Sequence, residues 1–337
     1  MKILVLTQKM DRDDPGLGFF HDWIEKFASR FEFITVICLY KGKCELPTNV
    51  KVLSLGKEGG ESHIKYLYRF YKYIWRERKN YDAVFVHMNQ EYVILGWKVW
   101  WILRKPIYMW RNHHAGSVLT DLASVFCTKV FCTSKFSYTA KYKKTILMPI
   151  GVDTEVFGRQ YSVDRKKNSI LFLARIAPVK KPDLLVEALN SISDKDYRAT
   201  VLGDALPKDS PYYEIIKAKA NPKIVFEKGI PNSETPAIYA AHEIFVNLSS
   251  SGMYDKTIIE AMAAGCLVLA SNENLRGQIS DDFVFREGDR SELALKLKQL
   301  LSYSAVQKEN ARMSLKEFAS MHSLSALTEK LYKEISK

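Results

Sequence analysis

Residues 249–265 read SSSGMYDKTIIEAMAAG. The apolar run Ile244 to Leu248 precedes them and Leu267 to Ala270 follows, so the stretch predicts a strand end, a turn at Gly252, a helix and the next strand. The entrance of such a helix turns free backbone N–H groups and the positive end of its dipole toward any anion placed there. Phosphate can bind in that position. Met253, Tyr254, Asp255, Lys256 and Thr257 fill the entrance, and Glu260 follows on the helix. A carboxylate there can accept hydrogen bonds from two vicinal hydroxyls, the usual means of holding a ribose. Read without a ligand, the same residues are a capped helix with an exposed glutamate.

Outward from this stretch, short β-branched runs alternate with longer amphipathic segments, the pattern of parallel sheets covered by helices. One series of predicted strands is Lys2 to Thr7, Ile34 to Leu39, Ala83 to His87, Ile107 to Trp110 and Val130 to Thr133. A second series is Ser169 to Ala174, Ala199 to Gly203, Lys223 to Phe226, Ile244 to Leu248 and Leu267 to Ala270. A chain of 337 residues in this pattern predicts two doubly wound α/β domains. The seam falls near Pro149-Ile150-Gly151-Val152-Asp153, and the polar stretch Gly158 to Asn168 reads as a linker.

Ligands of open parallel sheets sit beyond the carboxyl ends of the strands, which directs attention to the loop Ala174 to Asp183. Arg175 brings a planar fork of donors and Lys180 a point charge, a pairing suited to a diphosphate whose negative charge grows as it departs. Basic loop residues are equally common as plain surface groups, and Lys181 reads as one of these.

Composition bounds the partners. Five cysteines without a C-x-x-C pair or a neighbouring histidine cluster support neither a disulfide framework nor a structural zinc site, and they fit a reducing cytoplasm. Met1-Lys2 runs directly into Ile3 to Leu6 with no signal-peptide pattern. The most apolar stretch, Tyr92 to Leu103, is shorter than the roughly 20 residues of a spanning helix. Residues 1–150 hold 24 Lys and Arg against 13 Asp and Glu, whereas residues 151–337 hold 26 against 25. The basic field of the first half attracts nucleic acid, anionic lipid or phosphorylated substrate without choosing among them. Base-reading motifs are absent, so no specific nucleic-acid partner is expected.

Gly151-Val152-Asp153 through Phe157, the R-x-x-x-x-K pair Arg175 and Lys180, and the E-A-M-A-x-G helix from Glu260 to Gly265 together resemble glycosyltransferase family four. Those are retaining glycosyltransferases of the GT-B architecture, and the resemblance covers nearly the whole chain. It implies an α/β fold of two Rossmann-like doubly wound domains facing across a cleft. The acceptor domain would span residues 1–152, the nucleotide-sugar domain 153–318, and a terminal helix 319–337, with Phe318 to Ile335 crossing back to the first domain. Gly203-Asp204 stands where the family has a G-D-G turn, and Gly229-Ile230-Pro231 where it contacts the base. Gly18, within Gly16-Leu17-Gly18-Phe19, stands where the family's backbone approaches the donor. His113, with His114 second, stands where the family hydrogen-bonds the transferred sugar. The donor site so implied comprises Gly18, Gly203, Ile230, Gly252, Met253, Tyr254, Asp255, Lys256, Thr257 and Glu260, with His113, Arg175 and Lys180 as catalytic groups.

Three positions depart from the family. The first of its two glutamates, eight positions before Glu260, is Gly252 here, so its role passes to Asp255 or Lys256, or the donor is recognised differently. Lys181 replaces a usual glycine and Phe19 one of a glycine pair; both narrow the donor site. The resemblance implies transfer of a sugar from a nucleotide-sugar, UDP favoured over GDP, to a hydroxyl of a glycan or lipid-linked saccharide with retention of configuration. No D-x-D acidic pair is present, so Arg175, Lys180 and the helix entrance would neutralise the departing diphosphate without a metal or other cofactor. The alternatives are a nucleotide-sugar hydrolase or epimerase of the same fold, and a non-catalytic basic protein binding nucleic acid or lipid.

One further segment, Lys65 to Lys79 (KYLYRFYKYIWRERK), predicts a helix with Leu67, Phe70, Tyr71 and Ile74 as its core stripe and Lys65, Arg69, Lys72, Arg76 and Lys79 outward. It reads either as core plus solvated face or as an interfacial helix that docks on an anionic membrane from the cytoplasm.

Overall fold

Ile3, Leu4, Val5 and Leu6 are all fully buried on one strand, β1 (Lys2–Met10). Side chains alternate faces along a strand, so both faces of this one are covered, as in a parallel sheet between helix layers. A computed structural model describing residues 1–14, 16–250 and 252–337 shows two units, Met1–Gly151 with Leu324–Lys337, and Val152–Ser323.

In the first unit β1 leads to α1 (Gly18–Ala28), β2 (Phe33–Lys41), β3 (Val50–Ser54), α2 (His63–Arg76), β4 (Ala83–His87) and α3 (Glu91–Ile102). There follow β5 (Ile107–Trp110), α4 (Val118–Phe126), β6 (Lys129–Cys132) and β7 (Thr145–Leu147). Among the described residues the sheet has the order β3-β2-β1-β4-β5-β6-β7, all parallel, with Ile3 paired to both Ile34 and Ala83. The order reverses between β1 and β4. Strands β3 and β7 were not foreseen, because one is a half-buried edge strand carrying Lys51 and the other has three residues, and neither gives an apolar run.

Helices α2, α3 and α4 cover one face of this sheet. The stripe that α2 buries is Tyr66, Phe70, Tyr73 and Ile74, rotated from the expected one, so Leu67 and Tyr71 are exposed. Arg69, expected outward, turns back to donate to Leu55 O at 3.0 Å and to Glu61 at 2.9 Å. Tyr66 and Tyr73 are half-buried against the cluster that Phe70 and Ile74 enter.

The second unit runs through α5 (Thr154–Phe157), β8 (Ser169–Leu173), α6 (Pro182–Asn190), β9 (Arg198–Leu202), α7 (Ser210–Lys219), β10 (Ile224–Glu227) and α8 (Thr235–Ala241). It continues with β11 (Ile244–Asn247), α9 (Lys256–Ala263), β12 (Leu267–Ala270), α10 (Arg290–Ser302) and α11 (Ala305–Met321). Its described sheet is β10-β9-β8-β11-β12, again all parallel, and the order reverses between β8 and β11. Asp153 caps α5 by accepting from the N–H groups of Glu155 and Val156, and Phe157 is buried against Tyr239.

Gly158 to Asn168 is not a linker. Arg165 donates to the carbonyls of Ala240, Ala264 and Gly265, binding the stretch to the carboxyl ends of α8 and α9. A cation at those ends also suits the helix dipoles. Nor is Phe318 to Ile335 one helix. Val152 N donates to His322 O at 3.2 Å and Val152 bridges Ser323, so α11 stops and α12 (Leu324–Ile335) begins afresh.

Helix α12 belongs to the first unit, where Leu324, Leu327, Leu331 and Ile335 join Phe20, Trp23 and Phe27 on the second face of the sheet. Gly151 closes that junction with φ at +78°, and a Cβ there would lie 2.4 Å from Leu327 and 2.8 Å from Trp23. Only glycine fits. Trp23 Nε1 donates to Gly151 O at 2.8 Å inside this packing. Trp23→Phe, which leaves that carbonyl unpaired, is expected to cost about 1–2 kcal/mol in chemical denaturation; no loss would show that the bond is not a stabilising one.

Candidate functional site

The reversal of strand order in the second unit sets the loops after β8 and β11 side by side, the position where open α/β sheets bind ligands. The loop after β8 is held by β9: Ala174 N donates to Leu202 O and Ile176 N to Asp204 O. Gly203, with φ at +155°, lets this happen, since a Cβ there would fall 1.9 Å from Ala174 O. Asp204 Oδ1 in turn accepts from Gly229 N at 3.2 Å and fixes the turn before Ile230, beyond β10. Four neighbouring strands therefore deliver Arg175, Gly203, Ile230 and the Gly252 to Glu260 segment to one edge of the sheet.

Arg175 is exposed, and its guanidinium makes no hydrogen bond or ion pair among the described residues. Lys180 ends a short turn, and its Nζ donates to Ser249 Oγ and Asp255 Oδ2, each at 2.9 Å. These bonds join the two loops. Lys181, expected to be solvated, adopts the left-handed conformation at φ +53° and pairs with Glu287 at 2.6 Å. A glycine would take that conformation without strain.

Asp255 is the N-cap of α9. Its Oδ1 accepts from Thr257 N and Thr257 Oγ1, while Oδ2 receives Lys180 and the Ser249 hydroxyl at 2.8 Å. Burial by itself would raise the Asp255 carboxyl, but the Lys180 charge and these donors outweigh it and hold the group down at about 2. Asn247 supports both sides, donating to Thr257 Oγ1 at 3.0 Å and accepting from Ser249 N. The preceding turn is anchored from β12: Asn272 Nδ2 donates to Met253 O at 2.7 Å, and Tyr254 OH to Asn274 O at 2.9 Å. Gly252 has φ at +153°, a conformation suited to glycine.

Glu260 is half-buried, not an exposed helix residue. Tyr239 OH donates to its Oε2 at 3.3 Å, and burial pushes its carboxyl up to about 7 despite the Lys256 charge. A carboxylate kept out of water with one donor supplied can accept further hydroxyl donors.

In the first unit Gly18 and His113 lie at the corresponding carboxyl-end edge, after β1 and β5. A Cβ on Gly18 would meet Arg12 O at 2.7 Å, so the α1 entrance is closely folded. His113 Nδ1 lies 3.0 Å from both Ala115 N and Ala115 O, accepting from the first or donating to the second according to the tautomer, and this holds the ring over its own loop. Its loop is fixed: Asn112 Oδ1 accepts from Thr133 N, Thr133 Oγ1 and Ser137 Oγ, and Tyr138 N donates to His113 O. His114 stacks on His113 at 4.4 Å. Phe19, in the place of a glycine, packs against Trp23 and His87.

Among the described residues, one group combines three metal-ligand types, His21, Asp22 and Glu25 on α1. His21 Nε2 accepts from Glu45 N, so the neutral ring carries its proton on Nδ1, the atom that faces the carboxylates. That Nδ1 stands 3.8 Å from Asp22 Oδ1 and makes no hydrogen bond.

Sequence reasoning gave no role to Tyr239, Ser249 or Asn247. Tyr239 sits at apolar helical spacing on α8 and reads as core, while Ser249 and Asn247 stand at a strand end, a signal of the kind used for Arg175. His87, which ends β4, stacks on Phe20 at 3.9 Å and lies 3.3 Å from Thr7 Oγ1; its strand-end position also marked it.

Residues 153–319 match the family model described as glycosyl transferases group 1. The second unit is a group 1 glycosyl transferase domain. The chain is also similar to YtcC of Bacillus subtilis, 28% identical over 134 residues, 37% of this chain and 33% of that protein. It is 24% identical to alpha-monoglucosyldiacylglycerol synthase of Streptococcus pneumoniae over 183 residues, 48% of this chain and 41% of that one. The matches thus span less than half the length of either curated relative. Among solved structures, Anabaena HepE in complex with UDP superposes with a TM-score of 0.78 at 18% identity, covering 100% of both chains. At that identity the likeness concerns the fold: the group 1 domain and the unit beside it in sequence are the two Rossmann-like α/β domains of the GT-B architecture.

Proposed function

We propose that the protein transfers a sugar from a nucleotide-sugar, with UDP as the favoured nucleotide, to a hydroxyl of a glycan or lipid-linked saccharide, with retention of configuration. The observation that carries this reading is the junction at the reversal of strand order, where Lys180, Ser249 and Asp255 tie the β8 loop to the entrance of α9. Lys180 has three N–H donors and spends two there, leaving one for a phosphate oxygen. Arg175 offers its whole fork. As the bond from the anomeric carbon to the diphosphate oxygen breaks, the electron pair leaves with the diphosphate, and these two cations and the α9 dipole stabilise it without a metal. The acceptor oxygen bonds to the anomeric carbon on the face that the diphosphate leaves, and its proton passes to the departing phosphate. Glu260, positioned by Tyr239, takes the ribose hydroxyls; Gly203, Ile230 and Gly252 to Thr257 shape the donor site; Gly18 and His113 are assigned to the donor phosphates and the transferred sugar.

UDP is supported by the UDP complex of Anabaena HepE, and a lipid acceptor by the name of the Streptococcus relative, a diacylglycerol glucoside synthase. A cytoplasmic enzyme lying on an anionic membrane completes the reading. Among the described residues no helix is long and apolar enough to cross a membrane.

A thermal-shift screen of UDP, GDP and ADP tests the donor, since a ligand specific for the folded state raises its melting temperature by mass action. UDP is expected to give the largest shift, and no shift with any of the three would refute the reading. Incubating the donor with and without acceptor hydroxyls separates transfer from hydrolysis. The Glu260 carboxyl adds a pH signature. It binds hydroxyls as the carboxylate and titrates at about 7, so UDP affinity is expected to fall roughly tenfold from pH 7.5 to 6. Glu260→Gln should bind weakly with a flat profile; a wild-type profile equally flat would remove Glu260 from the site.

A further inference from the structure

The outer face of the α2, α3 and α4 layer in the first unit carries apolar side chains that the core does not use. On α2 a second stripe of Ile64, Tyr68, Tyr71 and Trp75, spaced i, i+4, i+7 and i+11, points away from the buried one, and Ile64 is 80% exposed. A helix between one core and water has a single apolar face. Helix α4 is inverted outright: it buries Thr120, Ala123 and Ser124 and exposes Val118, Leu122 and Val125. Helix α3 ends on Trp101 and Ile102, 75% and 66% exposed.

The three helices form one surface. Tyr71 OH donates to Leu95 O at 2.9 Å, and Trp97 stacks on Phe126 at 4.2 Å. Contiguous exposed apolar area of this kind marks an interaction site. Charge decides the partner: residues 63–79, 91–105 and 117–128 hold nine Lys and Arg against three acids. Two of those acids are already neutralised, Glu77 by Lys51 and Arg76, and Asp121 by Lys141. Lys72 lies over the Tyr68 ring, Arg78 over Trp75 and Lys98 over Trp97, at 5.7, 4.7 and 5.6 Å. Aromatic bodies with cations above them match the acyl and headgroup levels of a bilayer. A groove of about 620 Å³ between Trp97, Trp101 and Phe126, bearing Arg104 and Lys105, adds a place for one lipid chain beside a phosphate.

We propose that this face docks the protein on an anionic phospholipid bilayer, which deepens the membrane part of the function proposed above. The full-length chain is sedimented with vesicles of phosphatidylcholine, and with an equimolar mixture of phosphatidylcholine and phosphatidylglycerol. Binding is expected on the mixed vesicles and not on the neutral ones. It should be at least tenfold weaker in the Trp75→Glu/Trp101→Glu variant, whose melting temperature and UDP shift stay those of the wild type because both side chains point to solvent. Equal binding of wild type and variant, or no binding to anionic vesicles, overturns the proposal. So does a wild-type dimer that the same substitutions dissociate, which would make a second copy the occupant. Vesicle binding is read without nucleotide and the UDP shift without vesicles, so a failed donor reading and a failed docking face are told apart.

Discussion

Arg175→Ala is expected to lower turnover of the nucleotide-sugar by roughly two orders of magnitude or more, the loss seen when a charge partner of a transition state is removed. Lys180→Ala should do the same, but the two variants differ in stability. Arg175 is exposed without a partner among the described residues, so its removal should leave unfolding within about 0.5 kcal/mol of the wild type. Lys180 neutralises a carboxylate that burial would otherwise protonate, so its removal destabilises the second unit as well. Initial rates of nucleoside diphosphate release, measured beside urea unfolding, separate the two effects. Unchanged rates in stable, purified Arg175→Ala would take Arg175 out of the mechanism.

Asp255 gives the second large effect. Its carboxyl sits at about 2 in the folded protein against roughly 4 in an unfolded chain, a difference of about 2–3 kcal/mol. The sign follows from the lowered value. The contribution is fully present above about pH 5 and is lost as pH falls through 4 toward 2, because the unfolded chain takes up the proton first. Asp255→Asn should remove that amount at neutral pH and flatten the stability profile of the second unit between pH 5 and 2. An unchanged profile would mean that the bonds from Lys180, Ser249 and Thr257 do not hold the carboxylate. The same variant loosens Lys180, so donor turnover should fall with it.

The organisation into parallel sheets was legible because both kinds of signal agree: fully apolar runs such as Ile3 to Leu6, and helices with one periodic face. Edges were not legible, since β3 and β7 lack that apolar content. The site was legible as far as strand ends and charge types go, and Arg175, Lys180 and Glu260 do share one sheet edge. What periodicity cannot convey is which partner a charge takes. Asp255 was expected in the donor site, with Lys256 the other candidate for the missing glutamate's role; its bonds to Lys180 and Thr257 make it the cap of α9 as well. Tyr239 was hidden because a buried tyrosine at core spacing looks the same whether or not its hydroxyl meets a carboxylate. The rotation of α2 had a similar cause: its sequence carries two apolar stripes, and spacing alone does not say which one the sheet takes.

Calorimetric titration of the full-length protein with UDP and with uridine asks most directly whether the β8 loop and the α9 entrance hold a diphosphate. Saturable binding of UDP at least tenfold tighter than uridine, with the difference abolished in Arg175→Ala/Lys180→Ala, is the predicted result. Equal affinities for the two ligands, or a UDP preference that survives the double substitution, would contradict it.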